Sequence, residues 1–233
     1  MKDYLKENLR EVKERIEEHC KLSGRNPDEV LLLAVSKTKP EEDIMALYEM
    51  GVRDFGENYV QELEKKREHL PDDIRWHMIG HLQKNKVKYI AGYVSMIHSV
   101  DSLLLAQVIE KEAAKHDRVI PVLIEVNVGE EDTKFGVSME DAPKLAAEIK
   151  KMPHVELRGL MTSAPYVKDP EEDRPVFRKL RQLSVDMNLE NDNNEKVVVL
   201  SMGMSNDYGI AIEEGSNCVR IGTDLFGARD YTK

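Results

Sequence analysis

The sequence of 233 residues has few cysteines and no segment typical of export, so little in it places the protein outside a reducing compartment. Its two cysteines, Cys20 and Cys218, offer no metal-ligand spacing and cannot build a disulfide framework. The N-terminal segment is charged throughout, so we expect no signal peptide. No apolar run approaches the roughly 20 residues that span a bilayer. These absences predict a cytoplasmic protein without membrane contacts.

An excess of positive charge is missing too. Lys and Arg number 34 against 44 Asp and Glu, which gives a formal net charge of -10. This balance argues against nucleic-acid binding, which needs basic patches, and a solvated helix face explains the small cluster Lys84, Lys86 and Lys88. The motifs GxSxG, HExxH and the Walker loop are absent. His77 and His81 are separated by a predicted strand end, so we expect no metal site there.

What the sequence does have is an alternation of short apolar segments with helical ones. The first predicted helix covers residues 3–22, where one apolar stripe ends at Ser23-Gly24. Eight strands are then predicted, at 30–37, 52–57, 75–80, 95–100, 122–128, 155–162, 196–203 and 218–223. This pattern predicts an α/β fold: a single (β/α)₈ TIM barrel domain over residues 1–233, with an extra N-terminal helix (1–24) packed on it. An open doubly wound sheet is the alternative.

Lys37 follows an apolar run, Val30 to Val35, at the C-terminal end of the first predicted strand. A lysine there either reaches solvent or is placed for chemistry, because lysine is rarely buried without a partner. Alternation in the last strand directs Arg220 into the barrel, and closure of the barrel makes that strand a neighbour of the first. Two inward cations suggest a bound anion. The alternative is an internal salt bridge from Arg220 to Glu57 or Glu125.

Two loops containing glycine and hydroxyl groups follow predicted strands seven and eight. They are Ser201 to Ser205 (SMGMS) and Gly222-Thr223. Loops at these positions form the usual phosphate site of a TIM barrel, although each alone could be a tight turn. A lysine beside a phosphate site and a second cation can form an imine with a carbonyl. Pyridoxal 5′-phosphate (PLP) fits this arrangement, with its aldehyde at Lys37, its phosphate at the loops and its pyridine nitrogen at Arg220. Because arginine keeps its proton, the ring would be a weak electron sink, which disfavours transaminase-like chemistry.

Seven segments carry a resemblance to a known family over nearly the whole chain. They are AVSKTKP (34–40), FGENYVQE (55–62), WHMIGHLQKNK (76–86), HSVDS (98–102), GLMTSAP (159–165), LSMGMSNDYGIAI (200–212) and VRIGTDLFGAR (219–229). The sequence resembles the pyridoxal phosphate homeostasis proteins, whose barrel is similar to the N-terminal domain of alanine racemase. The resemblance implies a Schiff base of PLP with Lys37 and a contact of Arg220 with the pyridine nitrogen. It also implies phosphate contacts from Ser201, Met202, Ser205, Gly222 and Thr223. Asn58 and His81 are implied as further cofactor-binding residues.

The function implied by the resemblance is to bind, buffer or deliver PLP, with apo PLP-dependent enzymes as candidate partners and no robust catalysis. This would influence amino-acid and keto-acid pools. An amino-acid racemase with weak activity is the alternative. It would need a second base, which alanine racemase takes from a C-terminal domain that we do not expect here, leaving Tyr208 or Tyr231 as substitutes. A Schiff-base aldolase without cofactor would leave Arg220 without a task.

Two further expectations concern assembly and access. We expect a monomer, because a racemase-type second domain, one known route to a dimer, is not predicted. The charged loop 163–175 is either a mobile lid or a solvated connection.

Overall fold

The structure is a computed structural model that describes residues 3–131, 133–189 and 198–228. Eight parallel strands close into a barrel in sequence order, which confirms the predicted TIM barrel and excludes the open sheet. The strands are β1 (Leu31–Val35), β2 (Asp54–Glu57), β3 (Arg75–Met78), β4 (Met96–Val100), β5 (Ile120–Glu125), β6 (Val155–Met161), β7 (Val199–Met204) and β8 (Cys218–Ile221).

Helices connect the strands and cover the outside of the barrel. They are α1 (Asp3–Leu22), α2 (Glu41–Glu49), α3 (Val60–His69), α4 (Val87–Ile90), α5 (Leu103–Lys115), α6 (Asp141–Ile149), α7 (Arg174–Leu189), α8 (Tyr208–Glu213) and α9 (Thr223–Phe226). Helix α1 buries its predicted apolar stripe, from Leu5 to Cys20, mainly against α8 and α9. None of the helices within the described ranges could span a membrane.

The ends of some elements differ from the predicted ones. Strand β1 ends at Val35, two residues before Lys37, because Thr38 adopts a left-handed conformation with φ of 63° and turns the chain. The predicted start of strand seven, residues 196 and 197, lies outside the described residues. Ser102 caps α5, since its Oγ accepts a hydrogen bond from the Leu105 N–H at 3.3 Å.

Closure of the barrel places β8 beside β1. The two strands pair in parallel, with Leu33 opposite Arg220 and Ala34 opposite Ile221. Residues that follow β1 and β8 therefore meet at the same rim of the barrel, as the sequence predicted for Lys37 and the Gly222-Thr223 loop.

Candidate functional site

A cavity of about 380 Å³ opens at the rim where the strands end. Its volume is in the range of small-molecule sites. Six of the nine residues predicted for the cofactor site line it: Lys37, Asn58, Ser205, Arg220, Gly222 and Thr223. They follow or belong to β1, β2, β7 and β8, and the parallel barrel brings them together because all its strands end on one side.

The other three predicted residues do not line this cavity. Ser201 is fully buried inside the barrel, and the Met202 side chain packs in the apolar core. His81 is exposed at the rim, where its ring stacks on Phe135 with centroids 3.9 Å apart. Its Nδ1 lies 3.3 Å from Asp101 Oδ2.

Arg220 points into the barrel and is 4% exposed. Its Nη1 donates to the carbonyl oxygen of Ser201 at 2.7 Å and to the Ser201 hydroxyl at 2.8 Å. Its Nη2 donates to the carbonyl oxygen of Thr162 at 2.8 Å. No carboxylate of a described residue lies within ion-pair distance of the guanidinium. Arg220 therefore does not form the alternative salt bridge to Glu57 or Glu125. Neutral oxygens hold the cation instead.

A buried lysine that the sequence analysis missed supports the strand ends next to Lys37. Lys66 on α3 donates from Nζ to the Ser36 carbonyl oxygen, to Glu57 Oε1 and to Glu62 Oε1, each at 2.7 Å. The Ser36 hydroxyl also donates to Glu57 Oε1, at 2.6 Å. Burial raises the pKa of Glu57 to about 7, although the charge of Lys66 opposes this rise.

The same cluster fixes both neighbours of Lys37. On one side Lys66 and Glu57 hold Ser36; on the other, the backbone N–H of Thr38 donates to Glu62 Oε1 at 2.6 Å. Lys37 itself is half-buried at the cavity wall. A second lysine of the cavity, Lys39, donates from Nζ to the carbonyl oxygens of residues 226–228 at 2.9 to 3.3 Å.

The loop 163–175 forms one wall of the cavity through Ser163, Pro165 and Tyr166. Asn206 Nδ2 donates to the carbonyl oxygen of Val167 at 3.0 Å, and Lys134 Nζ donates to that of Ser163 at 3.2 Å. The loop is therefore more than a solvated connection, because it shapes the cavity.

A buried carboxyl group lies in the second half of this loop. Asp173 is fully buried, and burial together with the nearby Asp207 raises its pKa to about 6. Burial also raises the pKa of Asp207, which lines the cavity. Two carboxyl groups in contact share a proton more readily than they both ionise.

The loop after β7 depends on a glycine at its centre. Gly203 has φ of 93°, and a Cβ there would lie 2.6 Å from Ala211 Cβ and 2.9 Å from Tyr208 Cα. Glycine thus lets the loop pack onto α8 and presents Ser205, whose hydroxyl accepts a hydrogen bond from the Asp224 N–H at 3.2 Å.

The groups that line the cavity match the predicted cofactor chemically. Lys37 offers a primary amine, Arg220 a guanidinium, and Ser205 and Thr223 offer hydroxyls on the loops after β7 and β8. An amine that can link to an aldehyde, and hydroxyl-bearing loops where barrels bind phosphate, are what PLP requires.

Comparison with known proteins gives a consistent result. The model of the family described as "Alanine racemase, N-terminal domain" matches residues 2–230. A pyridoxal phosphate homeostasis protein of Aquifex aeolicus is 50% identical over 226 residues, which cover 97% of this chain and 98% of the relative. The protein of the same name from Escherichia coli strain K12 is 38% identical over 231 residues, 97% of each chain.

Solved structures are similar as well. That of PipY from Synechococcus elongatus with PLP bound has a TM-score of 0.80 and 32% identity, over 91% of this chain and all of that one. An alanine racemase of Clostridium difficile has a TM-score of 0.75 but 17% identity, over 99% of this chain and 58% of that one. The second likeness concerns the fold alone.

Proposed function

This chain belongs to the pyridoxal phosphate homeostasis proteins of the alanine racemase N-terminal domain family, and on that premise we propose that it binds PLP through Lys37 and takes part in PLP homeostasis. The observation that supports this most is that Lys37, Arg220 and the loops after β7 and β8 line one cavity. When bound, PLP supplies an aldehyde that links to an amine and an electron-withdrawing ring. A similar solved structure, that of PipY, has PLP bound, which supports PLP as the ligand.

Each residue of the cavity has a separate task in this proposal. Lys37 Nζ would supply the amine for the covalent link. Ser205, Gly222 and Thr223 would hold the phosphate, and Arg220 would donate a hydrogen bond to the pyridine nitrogen, which would leave that nitrogen without a proton of its own. Asn58 would contact the ring from the cavity wall. Ser201 acts through Arg220, whereas Met202 and His81 lie outside the cavity, so we assign them no direct side-chain contact with PLP.

We further propose that the protein holds or delivers PLP and is not a racemase. A racemase needs a base on each face of the substrate. Tyr208, one candidate for the second base, is 1% exposed beneath Arg15 and does not line the cavity. The other candidate, Tyr231, lies outside the described residues. Tyr166 does line the cavity, but the residue is 86% exposed to solvent.

The remaining parts of the proposal concern the state of the protein. We propose a monomer that works as one barrel domain. Cys20 and Cys218 are free and buried, which supports a place in the reducing cytoplasm. Apo PLP-dependent enzymes are the proposed recipients.

A transfer experiment tests this function. PLP-loaded protein is mixed with a PLP-dependent apo-enzyme, and the rate of reactivation is compared with that given by free PLP at equal concentration. A buffer releases PLP at a rate independent of apo-enzyme concentration, whereas delivery by contact gives a rate that rises with it. Alanine racemisation at enzyme-like rates that disappears in Lys37→Ala would overturn the proposal. Colourless protein that cleaves a phosphorylated aldol would favour the aldolase.

A further inference from the structure

A chain of buried polar side chains crosses the inside of the barrel and ends at Arg220. His77 Nε2 lies 3.1 Å from Asp54 Oδ1, and His77 Nδ1 lies 3.0 Å from His98 Nε2. His98 Nδ1 then lies 3.0 Å from the Ser201 hydroxyl, which accepts from Arg220 Nη1 at 2.8 Å. The five residues belong to β2, β3, β4, β7 and β8, and each is at most 6% exposed.

The carboxylate at the far end sets the direction of every hydrogen bond in this chain. Burial alone would raise the pKa of Asp54, but hydrogen bonds from Arg75 and His77 outweigh it and lower the pKa to about 2. Asp54 therefore only accepts, so His77 donates from Nε2. With a single ring proton, on Nε2, His77 has an acceptor at Nδ1, to which His98 donates from its own Nε2.

The same reasoning fixes the hydroxyl proton of Ser201. Burial, with the charge of Arg220, holds the pKa of His98 well below its usual range, so His98 is neutral. Its Nδ1 is then an acceptor and takes the hydroxyl proton of Ser201. The lone pairs of Ser201 Oγ are left to accept from Arg220.

A fixed acceptor matters to Arg220 because the described residues give it no carboxylate partner. Its hydrogen bonds go to carbonyl and hydroxyl oxygens alone. If the hydroxyl of Ser201 could rotate, its proton would face the guanidinium and one of these bonds would be lost. Asp54 prevents this from the opposite end of the chain of hydrogen bonds.

We propose that Asp54, His77, His98 and Ser201 are positioning residues that hold the Arg220 guanidinium against the cofactor in the cavity. The proposal rests on the proposed PLP function for the identity of the ligand. The hydrogen-bond directions and their effect on Arg220 do not depend on that ligand.

The first test uses the PLP-loaded protein and reads the cofactor itself. In Ser201→Ala we expect about tenfold weaker PLP binding, as for a lost hydrogen bond to a charged group. We also expect the pH midpoint of the visible absorption band to move in the same direction as in Arg220→Gln. Ser99→Ala is the matched control, because Ser99 is equally buried on β4 and its hydroxyl has no hydrogen-bond partner among the described residues.

A double variant separates action through Arg220 from a general loss of structure. Adding Ser201→Ala to Arg220→Gln should change neither affinity nor spectrum further. A wild-type spectrum and affinity in Ser201→Ala would overturn the proposal, and so would full additivity with Arg220→Gln.

The second test uses the ligand-free wild-type protein, so it does not depend on how a variant folds. Nitrogen-15 NMR of the imidazole rings should show His77 and His98 neutral, both with the proton on Nε2. A proton on Nδ1 of His98 would overturn the proposal. If the tautomers are as expected but the protein fails to bind PLP, the proposed function is wrong while the positioning of Arg220 stands.

Discussion

The substitution Lys66→Met removes the cation that holds Ser36 directly and Thr38 through Glu62, the two neighbours of Lys37. Lys66 is 4% exposed and Glu57 is fully buried. Without Lys66, Glu57 would be left as a buried carboxylate, and the Ser36 carbonyl oxygen would lose a donor. Removing one partner of a buried ion pair costs about 3–5 kcal/mol, and we expect a loss of this size in the free energy of unfolding near pH 8.

The loss should be smaller in mild acid, because Glu57 can then take up a proton. The folded-state pKa of Glu57, about 7, is above its ordinary value of 4.5. The contribution of Glu57 to the free energy of unfolding is therefore fully present below its ordinary pKa of 4.5 and is lost as the pH rises through about 7. Removing Lys66 raises this pKa further, since the lysine charge lowers it. Lys66→Met should therefore lose more stability than the wild type on going from about pH 5 to about pH 8.

Urea unfolding at both pH values measures the effect. Lys65→Met is the matched control, because Lys65 is the exposed neighbour on the same helix and should change stability by less than about 0.5 kcal/mol. The double variant Glu57→Gln with Lys66→Met should recover part of the loss near pH 8. Equal effects of the two lysine variants, or a loss independent of pH, would refute this account of the cluster.

Three more predictions follow from local geometry. Gly159→Ala should destabilise the fold by more than about 3 kcal/mol in thermal or urea unfolding, because a Cβ there would lie 1.9 Å from the Val199 carbonyl oxygen. Asp173→Asn should be more stable than the wild type above about pH 6 but not near pH 4. The pKa of Asp173 is raised in the folded protein, so the contribution of this carboxyl group to stability is lost as the pH rises through about 6. Ser205→Ala should weaken PLP binding about fivefold in a spectroscopic titration, whereas Met202→Leu should change it less than about twofold, because the Met202 side chain packs in the core.

The sequence was sufficient to predict the barrel and the placement of Lys37 and Arg220 at one cavity. Eight apolar segments that alternate with helices favour a closed parallel sheet, and closure makes the first and last strands neighbours. The side-chain alternation of β8 then directs Arg220 inward. The same alternation could have corrected one expectation, since an inward Ser201 implies an outward Met202.

Other parts of the site depend on packing between elements far apart in sequence. Lys66 lies four residues after Glu62, a separation typical of an ion pair on a helix surface. Only the packing of α3 against β1 and β2 shows that Lys66 is buried. His77 and His98 were not expected to meet Ser201, because which inward side chains touch across a barrel depends on the stagger of its strands. His81 follows β3 where the chain leaves the rim, and there it stacks on Phe135 outside the cavity.

Reductive trapping of the cofactor tests the central claim most directly. PLP-loaded protein is treated with borohydride, which makes the link to an amine permanent, and digested peptides are sequenced by mass spectrometry. Lys37 and Lys39 line the same cavity, but Lys39 Nζ is held by three carbonyl oxygens. We predict the reduced cofactor on Lys37, and no labelled peptide from Lys37→Met. A label on Lys39 or on a lysine outside the cavity would contradict the account.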